Sequence, residues 1–179
     1  RKSPIYCDNR RILSHPEIRT FVRQLATEQI EERFGRPEAI AGVATGGIAL
    51  GALIAQELGV PFIYVRSSAK EHGTGQRIEG DFSGFSSVFV IEDLISTGKS
   101  SLSAVDALRE LGCNVKGMGA IFTYGFQTAA NNFKNSDCDL FTLGDYDSLI
   151  EHAIETKYIS ESDAKILKDW RKDPANWKK

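Results

Sequence analysis

The sequence predicts an α/β fold in which helices flank a doubly wound, mainly parallel sheet. Short apolar runs typical of buried strands alternate with longer stretches of helical periodicity, and most of the loops between them are short. Three glycine-rich or charged segments each directly follow a predicted strand: 45–47, 66–84 and 92–99. Ligands in doubly wound folds bind beyond the carboxyl ends of the strands. We therefore expect the three segments to meet in one crevice, as in an enzyme.

Apolar periodicity and capping residues define the predicted helices. Ser14 and Glu17 have the capping-box spacing at the start of the first helix, and Ser160 with Asp163 begins the last one. Gly112 ends the helix that follows the third strand. The predicted helices are 15–34, 48–58, 98–111, 126–133, 148–157 and 161–170.

Short apolar runs between glycine, proline and polar residues define the predicted strands, which are 39–44, 62–65, 87–91, 115–122 and 140–143. The segment 66–84 loses this pattern, and at about 19 residues it exceeds the usual connection length, which favours a functional loop. We expect residues 1–179 to form a single domain that ends in the helices of 145–179.

Composition excludes several classes of protein. The 22 Lys and Arg against 24 Asp and Glu leave a net charge of −2, without the basic excess typical of nucleic-acid binding. No apolar run approaches the roughly 20 residues that a membrane span requires. The three cysteines form no C-x-x-C pair, which disfavours a disulfide framework or zinc site and predicts a cytoplasmic protein.

The segment 88–100 is the main functional pattern of the chain. The apolar run 88–91 leads to the adjacent acids Glu92 and Asp93, and a turn with serine, threonine and glycine then opens a helix. Backbone N–H groups and the helix dipole make such a turn suitable for a phosphate, while carboxylates accept hydrogen bonds from sugar hydroxyls. A ribose 5-phosphate carries both groups. The alternative is that the two acids only cap a strand and a helix start.

Two common nucleotide-binding motifs are absent from the sequence. Gly98-Lys99-Ser100 resembles the end of a Walker A loop, but Asp93 occupies the place of its first glycine, and a carboxylate there repels phosphates. The dinucleotide fingerprint fails as well, because Ile78 stands where the third glycine after Gly73 and Gly75 is needed.

All thirteen positions of 88–100 resemble the signature of type I phosphoribosyltransferases, which bind 5-phosphoribosyl 1-diphosphate (PRPP). Within that family, the segments 3–6, 42–48 and 66–73 resemble those of the orotate phosphoribosyltransferases, in the same order. The resemblance covers about residues 1–125. It implies a glycosyltransferase that converts orotate and PRPP to orotidine 5′-phosphate and diphosphate in pyrimidine (UMP) biosynthesis.

The resemblance also implies roles for individual residues. The implied PRPP-binding residues are Thr45, Gly46, Glu92, Asp93, Leu94, Ile95, Ser96, Thr97, Gly98, Lys99 and Ser100. The implied catalytic residues are Arg66, Lys70 and His72, in a loop that reaches into the partner subunit's site of a homodimer. The alternative for these cations is a solvated charged face. The cofactor implied is Mg²⁺, carried mainly by the diphosphate, with no residue directly assigned as a ligand.

The implied orotate-binding residues are Ser96, Tyr6 and Tyr124, and residues 1–14 form the N-terminal segment on the base side of the site. The alternative for Tyr6 is that it is a core aromatic. Two departures from the family pattern concern this side. Tyr124 occupies the slot where these enzymes often place an arginine for the orotate carboxylate, and Arg10 or Arg11 are the candidate substitutes. The lysine that usually precedes the Ser-Pro segment corresponds to a position before residue 1.

Two other functions share the same PRPP site. One is a purine phosphoribosyltransferase, which differs only in the base. The other is a regulator that senses PRPP and binds nucleic acid, for which the chain shows no basic arm or winged helix. A loop that shields a leaving group favours catalysis over sensing.

Overall fold

The computed structural model of the chain describes residues 3–68, 77–174 and 176–177. The strands are β1 (Ala39–Val43), β2 (Phe62–Val65), β3 (Ile78–Glu79), β4 (Ser87–Ile95), β5 (Asn114–Thr123) and β6 (Leu140–Asp145). The helices are α1 (Pro16–Phe34), α2 (Gly46–Leu58), α3 (Lys99–Glu110), α4 (Gln127–Asn135), α5 (Tyr146–Glu155) and α6 (Glu161–Lys172).

One six-stranded sheet has the order β3-β2-β1-β4-β5-β6. All neighbours pair in parallel except β2 and β3, which are antiparallel. This confirms the predicted doubly wound, mainly parallel sheet flanked by helices. The two-residue β3 lies inside the segment predicted to be a loop, because a strand so short has no periodicity to detect.

Helices cover both faces of the sheet, which explains why the central strands are apolar throughout. On one face α1 and α2 pack against the sheet, and on the other face α3 and α4 do. A third cluster packs α5 and α6 against Phe122 near the end of β5, and the N-terminal Ile5 packs there as well. No helix in the described part of the chain is long and apolar enough to cross a bilayer.

The two predicted capping boxes have different outcomes. Ser160 accepts a hydrogen bond from the backbone N–H of Asp163, whose side chain accepts from the Ser160 N–H, so the box of α6 is confirmed. The prediction for α1 is wrong, because Ser14 belongs to a 3₁₀ helix, Asn9–Ser14, and the N-cap is His15.

Candidate active site

The carboxyl ends of β1 and β4 bring two of the three predicted segments together. These strands are parallel neighbours, and the glycine turn 45–47 therefore lies beside the end of β4. A Cβ atom on Gly46 would lie 2.2 Å from Cγ of Asp93, and one on Gly47 would lie 2.2 Å from the carbonyl oxygen of Ile91. Only glycine permits so close an approach.

The backbone of Asp93 is held by two hydrogen bonds. Nδ2 of Asn9 donates to its carbonyl oxygen at 2.7 Å, which attaches the N-terminal segment to the end of β4. Its own N–H donates to Oε1 of Glu92 at 2.9 Å. Asp93 itself remains partly exposed, so its carboxylate is accessible at this edge of the sheet.

Glu92 is buried, with only 6% of its surface exposed. The predicted strand end at residue 91 is wrong, because β4 continues through both acids to Ile95. The expectation that both carboxylates are exposed is wrong for Glu92, because alternation across the strand turns its side chain toward Ser101 on α3. Its Oε2 accepts a hydrogen bond from Oγ of Ser101 at 3.0 Å, while Oε1 accepts from the Asp93 backbone. Burial, assisted by the neighbouring Asp93 carboxylate, raises the pKa of Glu92 to about 8.

Glu92→Gln is expected to stabilise the fold at pH 8 but not at pH 4.5. The folded pKa of about 8 exceeds the ordinary value of 4.5. The unfolded state therefore ionises first, and the free energy of unfolding falls as pH rises between these values. Glutamine removes this loss, which should raise the free energy of unfolding by about 4 kcal/mol at pH 8. Urea unfolding across this pH range measures it, with the exposed Glu151→Gln as control. An equal difference at both pH values would contradict the assignment.

A cavity of about 380 Å³, here called the acidic cavity, opens above the ends of β1 and β4. Six of the predicted PRPP-binding residues line it: Thr45, Gly46, Glu92, Asp93, Leu94 and Ser100. Two others lie outside the lining of this cavity: Ile95 is fully buried in the core, and Lys99 is exposed at the start of α3.

The turn between β4 and α3 suits an anion. Gly98, at φ +77°, is the N-cap of α3 and has no side chain with which to cap it. The N–H groups of the first helical turn are thus left for another acceptor. The turn is held from behind by Asn132, whose Nδ2 donates to the carbonyl oxygen of Thr97 at 2.9 Å.

A second cavity of about 610 Å³, here called the aromatic cavity, lies on the other side of this turn. Its lining includes Tyr6, Ser96, Thr97, Tyr124, Trp170 and Arg171. The three residues predicted on the base side are therefore brought together in one cavity. Tyr6 also lines the acidic cavity, and because it is 78% exposed, it is not a core aromatic.

The third predicted segment is only partly described. Nη1 of Arg66 lies 3.5 Å from Oε1 of Glu79, and Arg66 lines neither of the two cavities. Arg77 donates to the carbonyl oxygen of Arg66 and to Ser103 on α3, which attaches this segment to the phosphate-side helix. Lys70 and His72 lie outside the described residues.

Sequence reasoning missed three residues of the site: Asn9, Ser101 and Arg171. Their partners are 84, 9 and 47 positions away along the chain, respectively. No periodic pattern or short motif indicates contacts of this kind. They depend on how the N-terminal segment, α3 and α6 pack around the sheet.

Comparisons with known proteins agree with this geometry. The chain matches the family model for the phosphoribosyl transferase domain over residues 8–141. It is 53% identical over 176 residues to the orotate phosphoribosyltransferase of Porphyromonas gingivalis, covering 98% of this chain and 84% of that relative. It is 54% identical to the protein of the same name from Bacteroides thetaiotaomicron, covering 98% and 83%. The crystal structure of orotate phosphoribosyltransferase from Aeropyrum pernix superposes with a TM-score of 0.75 at 25% identity, covering 89% and 88%.

Proposed function

The chain belongs to the phosphoribosyltransferase family and, within it, to the orotate phosphoribosyltransferases, and we propose that it transfers the phosphoribosyl group of PRPP to orotate. The products are orotidine 5′-phosphate and diphosphate, in pyrimidine (UMP) biosynthesis. The observation that carries the proposal is that the acidic and aromatic cavities adjoin at Tyr6, with the anion-binding turn between them. Sugar, phosphate and base thus have neighbouring compartments.

The reaction forms a bond between N1 of orotate and C1 of the ribose. The bond between C1 and the diphosphate oxygen breaks, its electron pair leaves with the diphosphate, and N1 gives up its proton. Positive charge develops on the sugar and negative charge on the leaving group. Asp93 accepts hydrogen bonds from the ribose hydroxyls, where its charge also stabilises the sugar. The turn 96–100 binds the 5-phosphate, and Thr45 with Gly46 faces the diphosphate.

Glu92 supports this arrangement from within the sheet. Each of its oxygens already accepts one hydrogen bond from the protein. A carboxyl oxygen has a second lone pair, so a ribose hydroxyl can still donate to it. Its greater contribution is to hold the backbone N–H of Asp93 and the start of α3 in place.

We assign the cations Arg66, Lys70 and His72 to stabilisation of the departing diphosphate, in a homodimer whose loop acts at the partner subunit's site. The position of Arg66 supports this, because its side chain pairs with Glu79 rather than lining the acidic cavity of its own chain. Loop closure excludes water that would otherwise hydrolyse PRPP.

Lys70→Ala is expected to lower kcat by at least about tenfold while leaving the Kd for PRPP within about threefold, because the lysine acts on charge that develops in the transition state. Steady-state kinetics together with PRPP titration measure the two effects. An exposed lysine elsewhere, Lys134→Ala, is the control. Unchanged turnover in Lys70→Ala would show that the loop has another role.

Mg²⁺ fits the acidic cavity as a partner of the substrate rather than as a resident ion. Among residues 3–68, 77–174 and 176–177, no three His, Cys, Asp or Glu side chains come together as a metal site. Mg²⁺ commonly combines one or two carboxylates with substrate phosphates and water. Asp93 is the carboxylate placed to contribute, with the diphosphate as the main ligand. When bound, Mg²⁺ neutralises charge on the diphosphate and so improves it as a leaving group.

We also propose that residues 1–179 act as one domain in the cytoplasm. The N-terminal segment and α6 both line the aromatic cavity, which supports the single domain. Cys7, Cys113 and Cys138 are free thiols, which supports a reducing compartment.

A base panel tests the proposed function directly. The protein is incubated with PRPP, Mg²⁺ and one base at a time, and nucleotide and diphosphate formation is measured. We expect turnover of orotate and none of hypoxanthine, adenine or guanine. Turnover of a purine but not of orotate would establish a purine phosphoribosyltransferase instead. PRPP binding without turnover of any base would favour a regulator.

A further inference from the structure

Arg171 is a cation at the aromatic cavity, supplied by the last helix of the described chain. Its Nε donates to the carbonyl oxygen of Tyr124 at 3.0 Å, and its Nη2 donates to the carbonyl oxygen of Gly125 at 3.3 Å. Nη1 pairs with the carboxylate of Asp147. The guanidinium carbon lies 5.3 Å from the centre of the Tyr146 ring. The guanidinium is therefore held in one orientation at the wall of the cavity.

These contacts do not use all of the donors of Arg171. A guanidinium has five N–H groups, and the hydrogen bonds above account for three of them. The side chain is 26% exposed, which leaves part of it accessible from the cavity. A fixed, partly desolvated arginine binds a carboxylate more strongly than a free one on the surface does, because its orientation is set in advance.

The proposed substrate needs such a cation. Orotate is a pyrimidine that carries a carboxylate beside N1, and Tyr124 stands at the position where related enzymes often place an arginine. A phenol hydroxyl cannot form the paired hydrogen bonds that a guanidinium forms with a carboxylate. Arg171 reaches this same position from α6, since its Nε contacts the Tyr124 backbone itself.

Other charged residues near the site are less suited. Arg10 donates to Asp8 and to the Tyr6 hydroxyl, and it lines the acidic cavity but not the aromatic one. Lys172 is 76% exposed and pairs with Asp169. Asp173 is an acid at the rim of the aromatic cavity, and its carboxylate accepts hydrogen bonds from Asn176.

We propose that Arg171 recognises the carboxylate of the base and sets the preference for an acidic pyrimidine. This inference rests on the proposed function. In this arrangement the Tyr124 ring, stacked on Phe126 at 5.5 Å, forms an apolar wall, and the charge comes from α6. The specificity of the base site then depends on the docking of the C-terminal helices.

The test compares Arg171→Gln with wild-type protein for two ligands of nearly the same shape: orotate and its carboxamide, which has no charge and carries an NH₂ group in place of one carboxylate oxygen. We expect the Kd for orotate to rise at least tenfold and the Kd for the carboxamide to change less than threefold. The KM for PRPP should also stay within threefold. Lys168→Gln, an exposed cation on the same helix, is the matched control and should change none of these values. Arg10→Gln, included for comparison, should preserve the preference for orotate over the carboxamide.

If Arg171 had a purely structural role, Arg171→Gln would raise the Kd for orotate and the Kd for the carboxamide by the same factor. That result would overturn the inference. If this variant does not fold, Arg171→Lys keeps the charge but loses the paired geometry, and it should lower the preference for orotate over the carboxamide at least threefold. An unchanged preference in Arg171→Lys would equally overturn it. If wild-type protein does not turn over orotate at all, the proposed function fails, which is a different outcome.

Discussion

Asp93→Asn is expected to lower kcat/KM for PRPP by about 100-fold while leaving the fold intact. The carboxylate is the partly exposed acid of the acidic cavity, packed over Gly46. Asparagine has the same shape but no charge and one acceptor oxygen fewer. A hydrogen bond to a charged group contributes about 1.5–3 kcal/mol, and about 1.4 kcal/mol corresponds to a factor of ten. The substitution should weaken PRPP binding and also lower kcat, because the Asp93 charge acts on the ribose in the ground state and in the transition state.

The control for Asp93→Asn is Asp106→Asn, which removes an exposed carboxylate from α3. Thermal unfolding should give similar midpoints for both variants and the wild-type protein, since the Asn9 contact to residue 93 uses only the backbone carbonyl. If Asp93→Asn retained more than about a third of wild-type kcat/KM, the ribose would not bind where we place it.

Gly47→Ala is expected to destabilise the fold by about 3 kcal/mol, at the upper end of the usual cost of overpacking. The added Cβ would lie 2.2 Å from the carbonyl oxygen of Ile91 and 3.3 Å from Cα of Glu92. Both contacts are with backbone inside a buried strand, which cannot move aside as a side chain can. Either α2 shifts away from β4 or the end of β4 distorts. Urea unfolding measures the loss.

Gly84→Ala is the matched control for this substitution. Gly84 is exposed, its φ is not positive, and an added Cβ would meet nothing within 4 Å. The variant should be as stable as the wild-type protein, or more stable by a few tenths of a kcal/mol through the entropy of the unfolded chain. If both alanine variants had the wild-type stability, the close approach of α2 to β4 would be wrong.

Much of the fold could be predicted because the local apolar and glycine patterns match the burial and the ends of the strands in the sheet. Four apolar residues before Glu92 indicate a strand covered on both faces, and the structure places helices on both faces of β4. The glycine turn 45–47 indicates the end of β1. Since parallel strands end at the same edge of a sheet, the meeting of this turn with Asp93 follows from the fold class.

The rest depends on contacts that have no local signature. Two adjacent acids suggest an exposed pair, but the strand continues through them, and alternation of side chains across a strand turns Glu92 toward Ser101. Ser14 resembles an N-cap until the 3₁₀ helix that contains it is known. Arg171 belongs to an amphipathic helix whose docking against Tyr124 depends on the third apolar cluster.

A crystal structure with orotidine 5′-phosphate bound is the most direct test of the site. We expect the 5-phosphate on the backbone N–H groups of the turn 96–100, the ribose hydroxyls within hydrogen-bond distance of Asp93, and the pyrimidine in the aromatic cavity between Tyr6 and Tyr124. A phosphate bound away from this turn, or a ribose that makes no contact with Asp93, would contradict this expectation.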